Sequence, residues 1–100
     1  MTRHLITPPD GTFAGTETVV GWDAQPGTYF LQINPPGGCP AEAVWLGLTE
    51  QIYDLDDFLA AVEEHAVVIP DDLVIELYLD RDTGRGGVTD WRSGQPVRLS

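Results

Sequence analysis

Apolar and polar positions alternate along the first half of the chain and recur every three or four residues in the second. Thr16 to Trp22 (Thr-Glu-Thr-Val-Val-Gly-Trp) has the threonine and valine content of a pleated, half-buried strand. Thr28 to Asn34 (Thr-Tyr-Phe-Leu-Gln-Ile-Asn) resumes that chemistry after the turn residues Asp23-Ala-Gln-Pro-Gly27, so the pair predicts a hairpin. Pro35-Pro-Gly-Gly-Cys-Pro40 can extend neither strand nor helix, because its prolines lack donors and its glycines are unrestrained. Glu42 to Leu48 then predicts a third strand, and Leu5-Ile6 gives only a faint earlier one.

The helical period starts at Asp54, which predicts an N-cap, with Asp56 and Asp57 in the first turn where the dipole favours anions. Leu55, Phe58, Leu59, Val62 and Ala66 share one face, Asp56, Asp57, Glu63 and Glu64 the opposite one, and His65 falls near the end. This predicts a helix over 54–66. Residues 70–82 fit two templates. Leu73, Ile75, Leu77 and Leu79 alternate with Val74, Glu76, Tyr78 and Asp80, the period of a strand. Pro70-Asp71-Asp72 is a helix-opening signature and Gly84 a helix stop, which tips the reading to a helix. In that helix Asp72, Glu76 and Asp80 line one stripe.

The expected fold is α+β: a small antiparallel three-stranded sheet (about 16–22, 28–34 and 42–48) followed by two helices (54–66 and 70–82). Residues 1–83 form the domain. Residues 84–100, with four glycines, one proline and no periodicity, read as a flexible arginine-containing tail that adds little to the core.

Charge changes this picture more than composition does. Sixteen acids face five bases, all of them arginine, for a net charge of −11. Between His4 and Asp80 there are fourteen acids and no lysine or arginine. A body without a basic patch argues against direct nucleic-acid binding and against anionic membranes. It points instead to basic proteins, including those that themselves hold nucleic acid. A generally acidic proteome would give the same composition with no functional meaning. One hundred residues allow a single domain, no apolar run is long enough to span a membrane, and the polar start predicts no signal peptide. A cytoplasmic location is expected.

The strands are apolar on both alternating faces. Tyr29, Leu31 and Ile33 suit a helix-covered face, and the other can collect Val20, Trp22, Phe30 and Trp45 if the register aligns them. Such an aromatic face suits a partner or self-association contact, unless the N-terminal arm or the tail covers it. Val20-Gly-Trp-Asp-Ala-Gln-Pro-Gly-Thr-Tyr-Phe-Leu-Gln32, followed by Val44-Trp-Leu-Gly47, resembles a group of short, uncharacterised bacterial proteins. The likeness spans roughly residues 18 to 82. It implies a small fold with a helical second half and carries no known chemistry. The group places proline two residues after the aspartate, where this chain has Gln25 and then Pro26.

The search for chemistry yields little. His4 and His65 lack metal-ligand spacing, and Cys39 has no neighbouring base to form a thiolate. Asp80-x-Asp82 departs from a calcium loop at the fifth, sixth and twelfth positions, which hold Gly84, Arg85 and Trp91. Asp54-x-Asp56-Asp57 reads as capping rather than a metal site. No catalytic residue, metal or cofactor is expected. The favoured reading is a non-enzymatic acidic binding module, an inhibitor that occupies a basic nucleic-acid-binding surface of a partner such as a defence enzyme. Its contact residues would be Asp56, Asp57, Glu63, Glu64, Asp72, Glu76 and Asp80. The alternative is a small assembly module, possible as a homodimer, that uses Trp22, Phe30 and Trp45.

Overall fold

The computed structural model describes residues 1–9, 11, 14–36, 43–47, 50–84 and 86–99. Cys39, Arg85 and the outer residues of the third expected strand, Glu42 and Leu48, lie outside them. Six strands and two helices follow in the order β1 (Thr2–Ile6), β2 (Glu17–Asp23), β3 (Thr28–Asn34), β4 (Val44–Leu46), α1 (Leu55–Glu63), α2 (Asp71–Thr83), β5 (Gly87–Asp90) and β6 (Val97–Arg98). The strands form one sheet ordered β4-β3-β2-β1-β5-β6. Its pairings are antiparallel except β1 with β5, which run parallel.

The α+β class holds, but the three-stranded antiparallel sheet is replaced by a six-stranded mixed one. The physical reason lies in the inward residues of the missing strands. β1 turns Thr2, His4 and Ile6 towards the core, so its inward positions are mostly polar and its only hydrophobic signal is the faint one at Leu5-Ile6. β5 is four residues beside glycines, and its partner β1 lies more than eighty positions away. The segment read as a tail therefore completes the sheet. Trp91 extends the ladder, its backbone N–H donating to the Leu5 carbonyl (2.8 Å), and its side chain is only 7% exposed.

Register assigns the faces. His4, Val20, Leu31 and Leu46 form one row across four strands, and Ile6, Thr18, Ile33 and Val44 form the next. These rows face Phe58 and Val62 of α1 and Leu73 and Leu77 of α2, which close the core with Trp22, Tyr29, Val67 and Trp91. The opposite face carries Val19, Gly21, Phe30, Gln32 and Trp45. Gly21 is obligatory there, because a Cβ would collide with the Thr2 carbonyl and come within 2.8 Å of the Phe30 ring.

The Asp54 carboxylate caps α1 by accepting from the Asp56 and Asp57 N–H groups at 2.8 and 3.2 Å. The helix ends earlier than the periodicity predicts, at Glu63, because the following turn puts Ala66 at a left-handed φ of 58°. For 70–82 the helical alternative is the observed one. α2 stops at Gly84, whose φ of 67° lets its N–H donate to the Asp80 carbonyl at 2.9 Å.

Candidate functional site

Both helices lie on the same face of the sheet, so their polar sides form one outer layer. Between residues 54 and 84 the chain has ten carboxylates and a single arginine, Arg81. Asp56, Asp57, Glu63 and Glu64 are exposed along α1, and Asp71 and Asp72 are exposed at the start of α2. None of these six makes an ion pair with another described residue. Glu76 is half-buried and Asp82 exposed.

Arg81 does not neutralise the layer by pairing with these acids. Its guanidinium lies over the Tyr53 ring at 4.9 Å and the Tyr78 ring at 5.4 Å, and Nη1 donates to the Tyr53 carbonyl at 3.0 Å. Tyr53 in turn meets Trp22 edge-on, with centroids 5.8 Å apart.

Asp80 departs from the expected surface stripe. It is 2% exposed, and its Oδ2 lies 2.7 Å from His4 Nε2. Three positions after Leu77 on the inward side of α2, it faces the sheet rather than solvent. The other ring nitrogen of His4, Nδ1, accepts from Trp91 Nε1 at 3.1 Å. An indole N–H can only donate, so Nδ1 carries a lone pair and Nε2–H donates to Asp80. Both ring nitrogens of the buried His4 are thus engaged within the fold. The trio clamps β1, α2 and the chain after β5 together. No local pattern announces it, since His4 stands 76 positions from Asp80 and 87 from Trp91. A cavity of about 240 Å³ adjoins the clamp, walled by Thr2, Glu76, Asp80, Thr89, Trp91 and Arg98.

The three aromatic candidates do not share a face. Trp22 is buried on the helix side, 4.9 Å from Tyr29 by ring centroids. Phe30 and Trp45 lie on the opposite face, where Phe30 is buried and Trp45 is 52% exposed. The Trp45 indole N–H donates to Asn34 Oδ1 at 3.2 Å. The register explains the separation: Trp22 stands opposite Tyr29, one position out of phase with Phe30.

Two titrations are displaced. Burial pushes the Tyr29 hydroxyl up to about 12, opposed in part by Arg81 and reinforced by Asp80. Its O–H donates to the Leu77 carbonyl at 3.0 Å. On the sheet, hydrogen bonds from the Arg92 side chain and backbone lower Asp90 to about 2. Among the described residues no group of three or more His, Cys, Asp or Glu side chains is placed to hold a metal ion. No described helix is long and apolar enough to cross a membrane. Comparison with known proteins found no matching family model, no matching curated protein and no matching solved structure.

Proposed function

We propose that this chain is a non-enzymatic acidic binding module, cytoplasmic, whose helical layer occupies a basic surface of a protein partner. The partner is a nucleic-acid-handling protein, and occupation of its phosphate-binding surface inhibits it. One observation carries the reading: six exposed carboxylates of α1 and α2 lie on one layer with no ion-pair partner among the described residues. Like charges held on one surface repel, and a basic partner relieves that repulsion while both surfaces release counterions. Trp22 is internal and Phe30 is buried, which leaves Trp45 alone of the aromatic trio for a sheet-face contact.

The test is affinity for the basic protein that the chain retains from the cells that make it. Wild type and the fourfold variant Asp56→Asn, Asp57→Asn, Glu63→Gln, Glu64→Gln are compared at about 0.01 M and about 0.1 M salt, where the screening length falls from about 30 to about 10 Å. Wild-type affinity is expected to fall steeply with salt and that of the variant to be weaker with a shallower slope, with duplex DNA competing for the partner. Equal affinities and equal slopes would remove the acidic-layer reading.

A further inference from the structure

The two helices treat their outward sides differently. Along the solvent side of α1 stand Asp56, Asp57, Ala60, Glu63 and Glu64, none of them a large apolar residue. α2 carries large apolar residues on its outward side as well as its inward one. Leu73 and Leu77 are fully buried against the sheet, yet Ile75 and Tyr78 on the other side are 59% and 50% exposed. A helix that only covers a sheet carries polar residues at such positions.

Asp71, Ile75, Tyr78 and Asp82 are all exposed and follow one another at four, three and four residues, which puts them on one stripe of the helix. At 1.5 Å per residue the stripe is roughly 16 Å long. Its two central side chains are apolar and aromatic, and its ends are carboxylates. The Tyr78 ring is held beneath Arg81, which is fixed in turn by Tyr53. Tyrosine and arginine anchors of this kind, already ordered in the free protein, lose little conformational entropy on binding.

We propose that this stripe is the centre of the partner contact, with Ile75 and Tyr78 packed against the apolar seam of an amphipathic helix of a partner protein, whose flanks carry lysine or arginine opposite Asp71 and Asp82. The inference rests on the acidic-layer reading above and names the helix that anchors it. Charge complementarity selects the occupant: a second copy of this chain, at a net charge of −11, would bring carboxylates against carboxylates. The α1 carboxylates then act at longer range, on association rate and salt dependence.

The probe is a synthetic amphipathic helical peptide with a leucine seam flanked by lysines, titrated into the isotope-labelled full chain at low salt and followed by amide shifts. The largest shifts are expected over residues 71–82. Ile75→Ser with Tyr78→Ser should weaken binding at least about tenfold, a loss of about 1.4 kcal/mol. Tyr78→Phe, which keeps the ring, and Val68→Ser, at an exposed apolar position off the stripe, should each change it less than about twofold. Preserved amide dispersion in each variant excludes unfolding. Shifts centred on α1, or equal affinity of the double variant and wild type, would overturn the anchoring role while leaving salt-dependent binding by the layer intact. Absence of binding at low salt would overturn both.

Discussion

At the scale of single residues, the most consequential contact is the buried bond between His4 Nε2 and Asp80 Oδ2. A charge-assisted hydrogen bond inside a low-dielectric core is strong, and deleting either side chain forfeits it. His4→Phe removes a donor to Asp80 and the acceptor for the Trp91 indole, so it should destabilise the fold by roughly 2–4 kcal/mol in urea unfolding. Asp80→Asn keeps an oxygen that can accept from Nε2 and should cost less than about 1.5 kcal/mol. Similar small losses for both would mean that the clamp does not hold the fold. Tyr29 supplies a pH-dependent counterpart. Its hydroxyl titrates near 12 when folded against about 10 when unfolded, so its contribution is complete below about pH 10 and is lost as pH rises through 12. Near pH 8, Tyr29→Phe should be less stable than wild type by about 1 kcal/mol, through loss of the bond to Leu77. By about pH 11.5 wild type should have given up roughly 2 kcal/mol that the variant keeps, reversing their order in urea midpoint. A constant difference across that range would show that Tyr29 is not shielded.

At the scale of elements, β5 and the residue after it decide whether the sheet closes. Trp91 is in the core, and β5 is the link through which β6 joins the sheet. A chain ending at Gly84 should therefore lose its cooperative melt, and Trp91→Ala should cost about 3–5 kcal/mol. A shortened chain that still melts cooperatively would return residues 86–99 to the status of a tail. The hairpin of β2 and β3, the Asp54 cap and the Gly84 stop were legible in the sequence, because turn chemistry, capping and apolar period are local signals. β1 showed only faintly, at Leu5-Ile6, and β5 not at all, because the two pair in parallel across distant segments and their inward positions include Thr2, His4 and Thr89. The same gap hid the site. Asp80 shares the helical spacing of Asp72 and Glu76, and only the return of Trp91 beside β1 shows that it points inward. Trp22 and Phe30 misled in a related way, since alternation within each strand is visible but the phase between strands is set by the length of the turn.

At the scale of the whole molecule, the acidic layer raises the question of whether its charges serve the fold. α1 answers it in two halves. Asp56 and Asp57 stand in the first turn, where the helix dipole stabilises anions, while Glu63 and Glu64 stand at the other end, where it opposes them, with no basic residue in the last turn. Each such interaction is worth roughly 0.3–1 kcal/mol at low ionic strength. Glu63→Gln with Glu64→Gln should therefore raise stability at low salt, and Asp56→Asn with Asp57→Asn should lower it by a similar amount. The two changes oppose each other, so the fourfold variant should lie within about 0.5 kcal/mol of wild type. Both paired effects should shrink towards zero at about 1 M salt, where screening acts over about 3 Å. Urea unfolding of the three variants at low and high salt measures all of this. A fourfold variant stabilised by well over 1 kcal/mol would mean that repulsion across the layer outweighs the local dipole. One that is strongly destabilised would mean that these carboxylates hold the fold itself, leaving no surplus charge for a partner to neutralise.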